Sequence, residues 1–235
     1  MYPVMKLNRE VLECRIRRRL NRFVVEVLID NRISKAHITN TGRLYDVLVE
    51  DRIGYCFRIN GKKLKYRLFA VRDNDGASLI DTRLQENSFI YFVENNYVSW
   101  LSNCSLYKHN VWLDSSIIDY LFKCNDREVY VEVKSAVLRI DHEYAGYPDC
   151  PTLRGRRQIE ELIKLVNNGG SAMIVFIAGL PGVKGFKPYD RGDPVVAELI
   201  REAYRVGVLL KSLNIYYDPL NNSIVLRDPE LPVIL

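Results

Sequence analysis

No apolar run in this chain approaches the roughly 18–20 residues that a membrane-crossing helix needs, and Met1 to Glu10 has no apolar core of the kind a secretory leader carries. The expectation is a cytoplasmic protein with no membrane partner. Cysteine is sparse and unpatterned: Cys14, Cys56, Cys104, Cys124 and Cys150 make an odd set with no C-x-x-C pair. That spacing argues against a zinc site and against a disulfide framework, so buried free thiols are expected. Glutamine is confined to Gln85 and Gln158 beside 27% charged residues, a balance that fits a thermophilic source. There is no internal repeat and no low-complexity segment. With 48% hydrophobic residues, disorder is excluded, and 235 residues suffice for one large domain or two small ones.

The net charge of +5 is modest, but the cations are clustered. Arg15, Arg17, Arg18, Arg19 and Arg22 crowd one segment, with Arg32, Lys35 and Arg43 after it and Lys62, Lys63, Lys65 and Arg67 farther along. Clustered cations neutralise phosphates and release counterions, the sequence-independent part of nucleic-acid affinity. A solvated charged face has the same composition, and charge alone does not choose between them.

From Val11 to about Arg83 the pattern is short strands: Arg22–Asp30, Arg32–Thr39, Tyr45–Glu50, Gly54–Ile59 and Lys63–Val71, with turns at Asn31-Arg32, Asn60-Gly61 and Asp75-Gly76. Five strands in so small a unit favour a closed, OB-like barrel, since closure removes exposed edges. After Asp81 the texture becomes mixed. Glu86–Asn96 reads as a short helix, with Phe89, Phe92 and Val93 on one side. Ser116–Phe122 and Glu128–Leu138 read as paired strands, Thr152–Val166 as a helix and Ser171–Ala178 as a buried strand. Asp193-Pro194 supplies an N-cap and first-turn proline for a helix ending at Gly207, and Val208–Tyr217 reads as the last strand. The fold class is α/β (α+β): a barrel unit over 1–83, then a mixed sheet flanked by helices over 84–235.

The chemistry concentrates in Val129-Tyr-Val-Glu-Val-Lys-Ser135. Strand alternation puts Glu132 and Lys134 on one face and the valines on the other. Asp119 interrupts the apolar run Ile117–Phe122, where a lone buried carboxylate costs several kcal/mol unless it is paired or binds metal. If the two strands are neighbours, Asp119 and Glu132 meet across the ladder as hard oxygen ligands for Mg2+ or Mn2+, with Lys134 beside water or phosphate. Glu-x-Lys also serves as an ordinary cross-strand pair, and spacing alone leaves both readings open. Pro148 and Pro151 stiffen the loop entering the helix at Thr152, whose exposed Arg154 and Arg157 make its N-terminus a phosphate site or simply a charged surface. His37 reads as structural, Trp100 and Trp112 as core, and Gly179–Gly185 as a surface loop without a P-loop pattern.

Four segments together resemble one family. Glu132-Val-Lys-Ser135, Tyr147-Pro-Asp-Cys-Pro-Thr-Leu-Arg-Gly155, Phe186-Lys-Pro188 with Asp193-Pro194, and His37-Ile-Thr-Asn-Thr-Gly-Arg43 are similar in order and spacing to the sugar fermentation stimulation protein (SfsA) family, over about Asn21 to Asp218. The resemblance implies an N-terminal OB-like barrel followed by a PD-(D/E)XK nuclease-like domain. It also implies DNA binding, with RNA left open, and a regulatory role in sugar metabolism. On this pattern Asp119, Glu132 and Lys134 are the catalytic core, Asp119 and Glu132 its metal ligands, Gln158 a polar partner on the next helix and Glu94 an additional carboxylate. Arg17, Arg18, Arg19, Arg22, Lys35, Arg43, Arg154, Arg157 and Gln158 are the candidate nucleic-acid contacts. The chain departs from the family at Ile117, where an arginine is usual, and at Gln158, where relatives often carry histidine. A Mg2+- or Mn2+-dependent nuclease and a non-cleaving DNA-binding protein are the two functions that follow.

Overall fold

The computed structural model describes residues 2–235. Five strands form the barrel: β2 (Leu12–Asn21), β3 (Val24–Ile29), β4 (Arg32–His37), β5 (Ile53–Arg58) and β6 (Tyr66–Asp73), after a short β1 (Val4–Lys6). Their order is β4-β3-β2-β5-β6, and β6 returns to β4 through Ala36↔Tyr66 and His37↔Arg67, which closes the barrel. Alternation fills its interior: Val25, Val27 and Ile29 of β3 are buried with Cys14 and Ile16 of β2. The β3–β4 turn lies at Asp30-Asn31, both at positive φ, one residue earlier than Asn31-Arg32. This is the short hairpin geometry that Asp and Asn tolerate. Tyr45–Glu50 is not a strand. Its place in the barrel is taken by β2, and the segment instead runs as turns after Leu44 at φ +53°.

The second half follows with β7 (Gly76–Leu79), α1 (Thr82–Glu94), a 3-10 turn (Ser99–Leu101), β8 (Cys104–Leu113), β9 (Ser116–Cys124), β10 (Arg127–Ala136), β11 (Leu138–Ile140), β12 (Tyr144–Tyr147), α2 (Leu153–Asn167), β13 (Ser171–Ala178), β14 (Gly185–Pro188), α3 (Pro194–Val206), β15 (Leu209–Asp218) and β16 (Ser223–Asp228). Strands run β7-β15-β13-β10-β9-β8, parallel from β10 to β15 and antiparallel outside it. This is a mixed sheet flanked by helices on both faces. One face packs Met173, Val175 and Ile177 against Phe89 and Phe92 of α1. The other packs Ile174 and Phe176 against Ile159 and Leu162 of α2, and burying each such side chain contributes about 1.5–3 kcal/mol.

The helix ends follow the sequence closely. Thr152 caps α2 by accepting the Gly155 N–H at 3.1 Å, and Asp193 caps α3 before Pro194. Gly207, at φ +100°, ends α3 in a conformation that a Cβ disfavours. α1, by contrast, starts at Thr82 under an Asp81 cap, four residues before Glu86. Val208–Tyr217 is not the last strand either: β16 turns back after Asn221-Asn222 to pair with both β15 and β1.

The cysteine expectation needs a correction. Cys104 and Cys124 are bonded, because the antiparallel β8–β9 ladder makes them Cα partners 4.1 Å apart despite a sequence separation of 20. Cys14 and Cys56 are buried free thiols, and Cys150 is a half-buried one. Removing the cross-link with Cys104→Ser and Cys124→Ser is expected to lower stability by about 3 kcal/mol through loop entropy, read as a shifted denaturant midpoint. An unchanged midpoint would show that the ladder alone holds the hairpin. Trp112 is not core either; it is 66% exposed because β8 is the outermost strand. Trp100 is half-buried and donates its indole N–H to the Pro229 carbonyl at 2.8 Å. No helix among the described residues is long and apolar enough to cross a membrane.

Candidate functional site

The β9–β10 ladder runs from Cys124↔Arg127 to Tyr120↔Val131 and stops there. Beyond that point the Val133 N–H donates to Asp119 Oδ2 at 2.8 Å, a side chain replacing the carbonyl of the departing strand. The splay opens a cavity of about 310 Å3. Asp119, Glu132, Lys134 and Gln158 all line it, so the structure brings the sequence-predicted core together.

Glu132 and Lys134 lie at the floor, 2% and 6% exposed. Lys134 Nζ donates to Glu132 Oε1 at 2.7 Å and to Gln158 Oε1 at 2.8 Å, and Gln158 Nε2 donates to the Ile117 carbonyl at 2.8 Å. Gln158 is thus held by both ends and fixes the ammonium. Burial alone would lower the Lys134 pKa, but Glu132, Tyr147 and Asp119 together raise it above the ordinary lysine value. The ammonium stays charged.

The carboxylates move the other way. Burial pushes Glu132 up to about 7 against the pull of Lys134, and Asp119 adds to the rise. Asp119 is likewise raised by burial, with Lys134, the Val133 N–H and Arg154 opposing. Two carboxyl groups forced into contact away from water favour sharing a proton or binding a cation. Glu132 Oε2 is buried with no hydrogen-bond partner. An orphaned carboxylate oxygen beside a second carboxylate fits a hard divalent cation, which takes its remaining ligands as water or phosphate oxygens. No group of three His, Cys, Asp or Glu side chains is placed to cage an ion among the described residues. The donor set therefore suits a hydrated ion of the Mg2+ type rather than a closed site.

Glu86 of α1 also faces the cavity, and burial with the nearby Asp119 and Asp81 pushes it up to about 7. Glu94, by contrast, sits at the exposed far end of the helix and does not line the cavity. Arg154, in the first turn of α2, lines the mouth, and its charge acts on Asp119, Glu132 and Glu86. Arg157 is exposed one turn farther along α2 and does not line the cavity.

One wall comes from the barrel: Thr39, Asn40, Thr41 and Gly42. Asn40 Nδ2 reaches Ser135 Oγ at 3.3 Å, and the Leu44 N–H donates to Asp149 Oδ2 at 2.9 Å. Gly42 is required by close approach, since a Cβ there would lie 2.5 Å from Asp149 Oδ1. Arg19 is a structural clamp, donating to the carbonyls of Gly42, Arg43, Arg22 and Asn40. Arg17 pairs with Glu50 and Asp51, and Arg18 with Glu26. Three cations of the predicted contact surface are therefore engaged within the protein. Lys35 lines a separate hollow with Lys63, Lys65 and Tyr66. Arg22 and Arg43 form no ion pair among the described residues.

Comparison with known proteins matches both halves. The family description "SfsA N-terminal OB domain" matches residues 18–80, and "Sugar fermentation stimulation protein RE domain" matches residues 83–221. The chain is 46% identical over 214 residues to a sugar fermentation stimulation protein homolog of Pyrococcus furiosus, covering 91% of this chain and 92% of that one. It is 41% identical over 224 residues to the Archaeoglobus fulgidus homolog, covering 95% and 96%. The solved structure of Pyrococcus furiosus SfsA in complex with Ca2+ superposes with a TM-score of 0.94 at 44% identity over 100% of both chains.

Proposed function

This chain belongs to the sugar fermentation stimulation protein family, and from that premise we propose that it is a DNA-binding, divalent-metal-dependent nuclease acting through Asp119, Glu132 and Lys134. The observation that carries the reading is the orphaned Glu132 Oε2 beside Asp119 on the floor of an open cavity. Asp119 and Glu132 would hold Mg2+ or Mn2+. The Ca2+ bound by the Pyrococcus furiosus relative supports a divalent site here. Such an ion supplies Lewis acidity toward phosphate and lowers the pKa of water.

The protein's own groups do the rest. Arg154 at the mouth binds the phosphate that enters. Lys134, immobilised by Glu132 and Gln158, offsets negative charge at the floor as it develops on phosphorus oxygens. Glu86, with its pKa near neutrality, accepts the proton released by the attacking water through its carboxylate. The reading divides the chain at about residue 83 into a barrel unit (1–83) and a nuclease-like unit (84–235), with a cytoplasmic place of action. The pairing of β1 with β16 supports assigning Val4–Lys6 to the second unit instead.

A second reading keeps DNA binding, and with it the family's regulatory role in sugar metabolism, without cleavage. The observation that favours it is that the Lys134 ammonium is already engaged by Glu132 and Gln158. Labelled single- and double-stranded DNA incubated with Mg2+ or Mn2+ decides between them. Cleavage is expected, reduced roughly 100-fold or more by Asp119→Asn, since a bound metal contributes several kcal/mol to the transition state. Salt-sensitive binding without cleavage on any substrate or metal would leave the second reading.

A further inference from the structure

The rim of the cavity carries a group of side chains that the chemistry at its floor does not use. Tyr45 is 77% exposed, and the Arg43 guanidinium lies 5.8 Å from its ring centroid. Phe23, next to Arg22, is 49% exposed. Arg43 directly follows Gly42, which lines the cavity, and Arg19 binds the carbonyls of Gly42, Arg43 and Arg22 together, so both cations stand beside the cavity's barrel wall.

These positions are fixed from beneath. Arg19 holds the carbonyls of Arg22, Asn40, Gly42 and Arg43 at once. The Leu44 N–H, immediately before Tyr45, is tied to Asp149 on the opposite lip. Two cations without a carboxylate partner and an exposed ring are thereby presented in one place, with the backbone order already paid for by the fold. Arg17 and Arg18, neutralised on the same strand, show that the family of cations here is divided between structural and free members.

We propose that this rim is a single-strand gate: an unpaired DNA base stacks on Tyr45 while Arg22 and Arg43 hold the flanking phosphates, leading that strand to the cavity floor. The proposal rests on the nuclease reading above and names its substrate class as DNA with an unpaired segment. Exposed rings bind bases through their π-faces, and those faces are covered by stacking in an intact duplex. The floor adds a second selection. Glu132 and Lys134 are almost fully shielded, and a single flexible strand reaches such a depth more readily than a stacked duplex.

The test measures binding by fluorescence anisotropy in Ca2+, using a single-stranded oligonucleotide, a blunt duplex, a duplex with an unpaired tail and a single-stranded RNA of the same sequence. A 2-aminopurine in the single strand reports stacking. Wild type is expected to bind single-stranded and tailed DNA at least tenfold more tightly than blunt duplex. Tyr45→Ala is expected to weaken that binding by about 5–100-fold and to release the 2-aminopurine quench, while Tyr45→Phe retains both. Arg22→Gln with Arg43→Gln should flatten the salt dependence by about two phosphates. These residues are exposed, so circular dichroism is expected to report unaltered folding. Equal binding to blunt duplex with Tyr45→Ala unaffected would overturn the gate and leave the nuclease reading standing, as would tighter binding to RNA. Failure of wild type to bind any DNA would remove the nuclease reading itself.

Discussion

Lys134→Ala is expected to abolish metal-dependent cleavage and also to lower folding stability by about 3–5 kcal/mol, because it leaves the buried Glu132 carboxylate with no cation. Glu132 escapes that charge only by binding a proton, since burial already raises its pKa to about 7 with the ammonium present, so the loss should shrink as pH falls toward about 4. The diagnostic comparison is Glu132→Gln with Lys134→Met. Replacing both members leaves no unpaired charge, so most of the lost stability returns while cleavage does not. Denaturant midpoints of the two single variants and the double variant give the coupling. If the double variant loses the sum of the two single losses, the pair is not the unit described here.

Asp193→Ala is expected to cost about 3 kcal/mol or more, although Asp193 lies outside the cavity. Its fully buried carboxylate accepts from Arg156 Nε at 3.1 Å and Nη2 at 2.8 Å, from Thr152 N at 3.0 Å and from the first turn of α3. One side chain therefore joins the N-terminus of α2, which carries Arg154 and Gln158, to that of α3. Burial pushes its pKa up, but the hydrogen bonds from Arg156, Thr152 and Val196 outweigh this and hold it below the ordinary carboxylate value. A depressed carboxylate pKa gives stability that is present above the unfolded value, near 4, and is lost as pH falls through the folded one. The gap in thermal midpoint between wild type and Asp193→Asn should accordingly be full at pH 7 and narrow below about pH 4. A gap independent of pH would assign the stabilisation to packing.

The sequence made the centre of this site legible because its rules are local. Alternation along β10 placed Glu132 and Lys134 together, an apolar run made Asp119 conspicuous, and Thr152 and Asp193 announced two helix starts. The losses came where local signals compete. Starting α1 at Glu86 rather than at the Asp81 cap drew attention to Glu94 and away from Glu86. Tyr45-Asp-Val-Leu-Val-Glu50 alternates like a strand, but Leu44 at positive φ and the tie to Asp149 hold it as turns, which hid the exposed Tyr45 ring. The Cys104–Cys124 bond depends on strand register, which spacing along the chain does not encode. Which arginines are free was equally illegible, since Arg17, Arg18 and Arg19 find their partners across the barrel surface.

The two halves are continuous in one 13-stranded sheet, in which β7 bonds to β6 of the barrel and to β15 of the second half. Tyr217 of β15 is wedged between Tyr55 and Phe69, with ring centroids at 5.1 and 4.9 Å. Enzymes that close on their substrates bend at a few loop residues joining separate bodies. Here such bending would have to break ladder hydrogen bonds and unseat a buried ring. The barrel-borne wall of the cavity therefore works as a fixed jaw, set against the β10 floor by a continuous sheet. A change in what the cavity admits would arise by trimming or lengthening the side chains on that jaw, with its position left untouched.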